Sequence, residues 1–292
     1  MTGTSGDFPG DRRLAAEAAR LLAELRRRRP LVHHITNLVV THSTANLTLA
    51  LGASPVMAYA VEEVAEMAAS AQVLLLNIGT LTVPELEAAL VAGRAANAAG
   101  VPVLLDPVGA GATRFRREAC LRILGEVRVA AIRGNASEMA TLAGRAAEQR
   151  GVDAAGTHGE AERAELAREV ARRYGCVAAV TGARDWLSDG RRSIACDNGH
   201  PLLAQVTGTG CMASTAVASF LAVGDDPLRA AAAALGAFGL AAEWAAQGAA
   251  GPGSFEVALL DRVAALRPVD LEEGLRLAWA EAEAEAAGEG GR

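Results

Sequence analysis

The chain has 292 residues, 51% hydrophobic but only 3% aromatic, with a formal net charge of −6. That length allows one large α/β domain or two small ones, with a sizeable core built from Ala, Leu and Val. The acidic balance argues against a general nucleic-acid binder, which needs a basic face, and the absence of lysine rules out a Walker-type P-loop lysine and Schiff-base chemistry.

Residues 1–10, rich in Gly, Thr and Ser, are expected to be disordered. Leu14, Ala18, Leu21, Leu22 and Leu25 then fall at helical spacing, and Arg26–Arg29 reads as the cationic last turn of an amphipathic helix stopped by Pro30. Glu17 and Glu24 count against a transit peptide. Leu31–Val40 has the composition of a strand and carries His33, His34 and Asn37. Adjacent strand residues face opposite sides, so the two histidines make a poor chelating pair; structural or substrate-positioning roles suit them better.

A helix from about Ser43 to Leu51 leads to a short apolar strand segment within Gly52–Tyr59, where Met57 is by default a core residue. After a helical stretch over 61–70, Gln72–Ile78 is an unbroken apolar run closed by Gly79 and Thr80, as in a parallel strand covered on both faces. A helix over Pro84–Ala99 and strands over 101–106, 127–133 and 176–181 continue the alternation of a wound α/β sheet. Such sheets bind ligands at the carboxyl ends of their strands. Asp106, Arg133 and Thr181 each end one of these strands and open a glycine-containing turn. Turn and cap preferences explain each alone; together they point to one polar rim.

Trp186–Cys196 has the pattern of a hairpin on a two-residue Asp189-Gly190 turn, an antiparallel addition to the sheet edge. The chain then reaches Val206-Thr-Gly-Thr-Gly-Cys-Met-Ala-Ser-Thr215, a glycine-rich loop running into small apolar residues that suit a buried helix. Gly208 and Gly210 free the backbone to turn successive amides toward an anion, and a helix starting there would add its positive end and acidify the Cys211 thiol. Taken alone, the stretch reads equally well as a tight turn before a core helix with an inert cysteine. A second Ala-rich helix follows over 228–247, then a loop at 251–255 and a helix from Glu256 to Leu266. Residues 268–292 read as a solvated helix fraying into disorder, so one undivided domain is expected over 11–267, with 1–10 and 268–292 as mobile tails.

Cys120, Cys176, Cys196 and Cys211 show no metal-type spacing and suggest no disulfide framework. With no visible signal peptide and no uninterrupted apolar run of membrane-spanning length, the chain reads as cytoplasmic, with reduced thiols and no membrane association. The rim supplies one candidate for each need of phosphoryl transfer. Asp106 and Glu138 are hard oxygen ligands suited to Mg²⁺. Arg133 and Thr181 are phosphate donors. The amides of Gly208 to Cys211 would gather at the transferred group, and Cys211 stands nearest to act as base.

The Asn135-Ala-Ser-Glu138 segment with the late Gly-Thr-Gly loop resembles the ribokinase-like small-molecule kinases. His33-His-Ile-Thr-Asn37, Gly52-Ala-Ser-Pro-Val-Met57, Leu105-Asp-Pro-Val-Gly-Ala-Gly-Ala-Thr113, Ile132-Arg-Gly-Asn135, Val180-Thr-Gly182 and Val206-Thr-Gly-Thr-Gly-Cys-Met212 are similar, in order, to the motifs of the hydroxyethylthiazole kinase family. The resemblance covers roughly residues 12–267. It implies a ribokinase-like three-layer α/β/α sandwich with a mostly parallel sheet, and ATP-dependent phosphorylation of 4-methyl-5-(2-hydroxyethyl)thiazole with Mg²⁺. It also implies a homotrimer with thiazole sites between subunits. Substrate contacts carry over to Met57 and Gly208, and sites between subunits would explain how Met57 and Asn37, far from Cys211 in sequence, could reach it across an interface. ATP contacts carry over to Arg133 and Thr181, with Asn135 and Gly210 beside them, and the catalytic thiol to Cys211, where most ribokinase-like relatives place Asp.

Thr41-His-Ser-Thr-Ala-Asn46 departs from the family's usual form on the thiazole side, and the scarcity of rings implies aliphatic walls around both substrates. Three alternatives stand beside this reading. They are another ribokinase-like kinase acting on a hydroxymethylpyrimidine or a sugar, an acyl-transfer enzyme with Cys211 as nucleophile and His33, His34 or His200 as base, and a non-catalytic nucleotide sensor.

Overall fold

Six apolar segments pair in parallel: β1 (Leu31–Ile35), β2 (Ser54–Val56), β3 (Val73–Asn77), β4 (Val103–Asp106), β5 (Ala131–Asn135) and β6 (Val177–Thr181). Three more, β7 (Asp185–Ser188), β8 (Ser193–Cys196) and β9 (Leu277–Trp279), extend the sheet antiparallel. The order is β2-β1-β3-β4-β5-β6-β7-β8-β9. This computed structural model describes residues 11–145 and 159–280, so the tail read at 1–10 and the end of the one read at 268–292 lie outside the described residues.

The strands' side chains alternate between two helical layers, which is why their sequences lack a polar face. Val73 and Leu75 of β3 pack with α1 (Arg12–Arg28), α2 (Thr41–Leu51) and a group of helices late in the chain. Leu74 and Leu76 pack on the other face with α3 (Val64–Ser70), α4 (Val83–Ala99), α5 (Arg114–Glu126), α6 (Ala136–Ala143) and α7 (Glu160–Tyr174). The late helices of the first layer are α8 (Thr209–Leu221), α9 (Pro227–Ala246), α10 (Pro252–Ala265) and α11 (Pro268–Gly274). The result is a three-layer α/β/α sandwich. Helix α8 buries nearly every position and α9 most of its positions, and Ala and Gly let their backbones approach closely. Among the described residues no helix is long and apolar enough to cross a membrane.

Several expectations are corrected. The stretch 268–280 is not a mobile tail: Leu271, Leu275 and Leu277 are buried, and β9 pairs with β8. The Glu-Ala alternation that suggested a solvated helix begins only at Glu281. The strand expected over 127–133 starts at Ala131, because Asn97 bonds the backbone of Arg128 on both sides and ties that stretch to the end of α4. Arg133 therefore lies inside β5, and Asn135 ends it. The first strand stops at Ile35, which leaves Asn37 in the turn before α2.

The hairpin turn is four residues, with Ser188 opposite Ser193 and Asp189 Oδ1 accepting from the amides of Arg191 and Arg192. Helix α10 starts at Pro252 rather than Glu256, with Ser254 Oγ accepting from the Gly251 amide. In the basic run, Arg26 is not simply a solvated charge. Its guanidinium donates to the carbonyls of Val263, Ala264 and Leu266, where α10 ends and its carbonyls lack helical partners.

Candidate active site

Parallel pairing in register sets polar strand ends side by side: Asn77 opposite Asp106, and Asn135 opposite Thr181. Asn77 Nδ2 donates to Asp106 Oδ2 at 2.8 Å and to Cys211 Sγ at 3.2 Å. Asn37 Nδ2 donates to Asn77 Oδ1 at 2.9 Å and to the same sulfur at 3.5 Å. Asn37 thus meets Cys211 within one chain, and no subunit interface is needed to explain how it reaches the sulfur. Gly79 makes room for this: a Cβ there would lie 2.6 Å from Asn37 Nδ2.

The second half of the rim is cationic. Arg133 Nη2 donates to Thr181 Oγ1 at 2.8 Å, and a Cβ on Gly210 would lie 3.0 Å from Arg133 Nη1. Gly210 therefore serves by lacking a side chain, not by an unusual backbone angle. Gly208 has the unusual angle, with φ +87°, and it begins α8. The Met212 amide makes the helix's first bond, to Gly208 O, which leaves the amides of Thr209, Gly210 and Cys211 without an intrahelical acceptor. Thr209 Oγ1 ties the loop to the carbonyls of Leu203 and Val206.

Asn135 and Glu138 form a capping box at the start of α6, each side chain accepting the other's amide. Glu138 Oε1 also accepts from the Gly109 amide at 2.9 Å, which joins this box to the loop after Asp106. Arg116 pins the same loop by donating to the carbonyls of Val108 and Gly79.

Burial pushes the Asp106 carboxyl up to about 6; the Arg133 charge opposes this and the Glu138 charge adds to it. The Cys211 thiol is pushed up to about 11 by burial and then by Asp106, against the pull of the Asn77 and Asn37 amides and Arg133. Burial and the neighbouring carboxylate thus act in the opposite direction to the acidification expected of a helix start. Asp185, at the start of β7, is raised to about 6 by burial, with the Gly182 amide and then Arg133 pulling it down.

Asp106, Glu138, Arg133, Thr181, Asn135, Gly208, Gly210, Asn37 and Cys211 are thus gathered on one rim. Met57 lies apart, half-buried just past edge strand β2, with β1 between it and β3. Each of the three candidate histidines has one ring nitrogen engaged away from the sulfur, while Nδ1 of His33 and of His34 is buried without a partner. His33 Nε2 donates to Ala58 O, His34 Nε2 to Thr48 Oγ1, and His200 Nδ1 accepts the Leu202 amide, so none of these bonds leads to Cys211. A cavity of about 430 Å³ lined by Val103, Ala130 and Val177 opens at the opposite, amino ends of the strands, away from these groups.

Sequence reasoning missed Asn77, Asp185 and Arg116. Asn77 carried a usable signal: it ends an apolar strand run as Asp106 and Thr181 do.

The hydroxyethylthiazole kinase family model matches residues 22–268, which include every residue of the rim. The chain belongs to the hydroxyethylthiazole kinase family. A hydroxyethylthiazole kinase of Moorella thermoacetica is 57% identical over 249 residues, 85% of this chain and 92% of that one. One of Desulforudis audaxviator is 54% identical over 259 residues, 89% of this chain and 94% of that one. A solved hydroxyethylthiazole kinase structure from Pyrococcus horikoshii superposes with a TM-score of 0.84 at 44% identity, covering 91% of this chain and 99% of that one. Likeness to a Bacillus subtilis pyridoxal kinase, with a TM-score of 0.53 at 15% identity, shows the shared fold alone. Strand β9 lies beyond the stretch matched to the family.

Proposed function

We propose that the chain transfers the γ-phosphoryl group of ATP to the primary hydroxyl of 4-methyl-5-(2-hydroxyethyl)thiazole, a salvage step toward thiamine. The bond from the γ-phosphorus to its bridging oxygen breaks as the alcohol oxygen bonds to phosphorus, giving ADP, a phosphate monoester and a released proton. The observation that carries this reading is the meeting, at one helix start, of three unpaired amides, the Arg133 guanidinium and the Cys211–Asn77–Asp106 chain.

In this reading the amides of Thr209 to Cys211 hold the transferred group, where developing negative charge is best met by fixed donors. Arg133 and Thr181 bind ATP, with Asn135 and Gly210 beside them. Gly208 and Asn37 contact the thiazole alcohol, Met57 reaches it from a neighbouring subunit of the trimer, and Cys211 Sγ receives its hydroxyl.

Asp106 and Glu138 fit a magnesium site. Asp106 is almost fully buried, and only the Asn77 amide and, more weakly, the Ser214 hydroxyl meet its carboxylate, which leaves it acceptor lone pairs for an ion. Glu138 keeps an acceptor lone pair on each oxygen beyond its bonds to backbone amides. Among the described residues no group of three acidic, His or Cys side chains converges, which suits an ion that keeps most of its waters. Asp106 and Glu138 would hold Mg²⁺ there, and the ion would offset the negative charge of the phosphates.

Purified protein is expected to consume ATP only when both the thiazole alcohol and magnesium are present. Equal turnover with a hydroxymethylpyrimidine or a sugar would move the assignment to another acceptor, and no turnover with any alcohol would overturn the kinase reading.

The family resemblance also supports a homotrimer acting in the cytoplasm. Leu38 and Val39 are 74% and 65% exposed beside Asn37, and Val61 is 49% exposed near Met57, an apolar surface that a neighbouring subunit would cover. Sedimentation is expected to give three times the chain mass; the mass of one chain would overturn it.

A further inference from the structure

Every hydrogen-bonding position of the Asn77 amide is taken. Its two hydrogens go to Asp106 Oδ2 at 2.8 Å and Cys211 Sγ at 3.2 Å, and its oxygen accepts from Asn37 Nδ2 at 2.9 Å and the Gly79 amide at 3.0 Å. The orientation cannot invert: a flipped amide would set its oxygen against the Asp106 carboxylate and turn its nitrogen toward two donors. Asn77 is 5% exposed, so each of these bonds is made away from water, where a satisfied network is stiff and a broken one costly. Asn37 closes the ring by donating to both Asn77 and the sulfur. Gly79, which has no room for a side chain beside Asn37, keeps the ring tight.

Helix α8 fixes the Cys211 backbone, but its thiol has a free rotation about the Cα–Cβ bond. The two amide donors fix that remaining freedom. Asp106, on the neighbouring strand, is held by the same nitrogen that holds the sulfur. We infer that Asn77 is a positioning residue of the reaction, setting the Cys211 sulfur at a fixed place relative to the Asp106 carboxylate and so fixing where the acceptor hydroxyl is presented. This rests on the kinase reading above, in which Cys211 receives that hydroxyl.

Misplacing a reacting group by about 1 Å costs on the order of 100-fold in rate. Asn77→Ala is therefore expected to lower kcat about 100-fold, with KM for ATP changed less than about threefold, because Asn77 bonds neither Arg133 nor Thr181. A merely structural role is separated by a double-mutant cycle, followed at single turnover with labelled ATP. In a Cys211→Ala background, Asn77→Ala should cost at least about tenfold less than in wild type, the remaining loss reporting its bond to Asp106.

The same roughly 100-fold loss in both backgrounds, or an unchanged kcat in the single variant, overturns the inference. If melting shows that Asn77→Ala is unfolded, Asn77→Ser goes through the same cycle with the same criteria. The wild-type protein run alongside keeps the two readings apart. No transfer to the thiazole alcohol by wild type ends the kinase reading, whereas an active wild type with independent Asn77 and Cys211 effects ends this one alone.

Discussion

Cys211→Ala is expected to lower kcat by about 10²–10³-fold while leaving KM for ATP nearly unchanged, and Cys211→Asp to retain substantial activity. The loss corresponds to roughly 3–4 kcal/mol of transition-state stabilisation. Its origin follows from the thiol's surroundings. With its acidity weakened to about 11, the group is almost wholly protonated at neutral pH, so a mechanism needing free thiolate would run on a very small fraction of the enzyme. Phosphoryl transfer through a loose transition state needs little proton removal early, so in the proposed reaction the sulfur is expected to act chiefly by placing the hydroxyl.

The pH profile separates these roles. A thiolate base would make kcat rise about tenfold per pH unit between about pH 7 and 9, because ionisation lies above that window; a placing role leaves kcat nearly flat there. Aspartate at 211 would accept from the same two amides of Asn37 and Asn77, and it offers the hydroxyl an acceptor at neutral pH. Steady-state kinetics of the three proteins, with melting curves as a folding control, decide the matter. Wild-type activity in the Ala variant removes Cys211 from the reaction, and a unit slope in the wild-type profile restores it as the base.

How far the sequence led depended on the range of the interactions involved. The buried parallel strands were legible because covering both faces leaves an unbroken apolar run, as in Val73–Asn77 and Val103–Asp106. The start of α8 was legible because Gly208 must take a positive φ and the helix beyond it is apolar throughout. What failed was fixed by contacts distant in the chain. Arg128 is held by Asn97 across 31 residues, which shortened β5; Arg26 reaches the end of α10 across about 240; β9 exists because β8 offers it a free edge.

The site shows the same division. Strand ends marked Asp106 and Thr181 as rim residues, but nothing local shows that Asn77 lies opposite Asp106, since that depends on the register between two strands. The acidity of Cys211 was misread for a related reason. A helix start is visible in sequence, whereas the burial and the Asp106 charge that oppose it come from 105 residues away.

Arg133→Ala is expected to have an effect as large, and of a different kind: kcat/KM for ATP should fall by about 10²–10⁴-fold, with loss in both KM and kcat. Arg133 links strand β6 to the start of α8, with Nη2 on Thr181 and Nη1 against Gly210, the two parts of the proposed nucleotide side. Its Nε is buried without a hydrogen-bond partner, so this donor waits in a place from which water is excluded. A phosphate meeting that guanidinium would gain charge-assisted bonds strengthened by the low local dielectric. Arg133→Lys should recover less than about a tenth of the loss, because an ammonium is a point donor and cannot span Thr181 and the Gly210 loop together.

A second consequence separates electrostatics from simple loss of contact. Arg133 is the strongest influence opposing the upward push on Asp106, so its removal must raise that carboxyl further above about 6. A carboxylate with a raised pKa loses its charge as pH falls through the new value, so the acid limb of the activity profile should move to higher pH in Arg133→Ala and stay near its wild-type position in Arg133→Lys. Nucleotide binding measured by fluorescence, together with kcat across the acid range, tests both parts. Unchanged ATP affinity in Arg133→Ala would remove this residue from the nucleotide site, and an unmoved acid limb would show that Asp106 does not sense its charge.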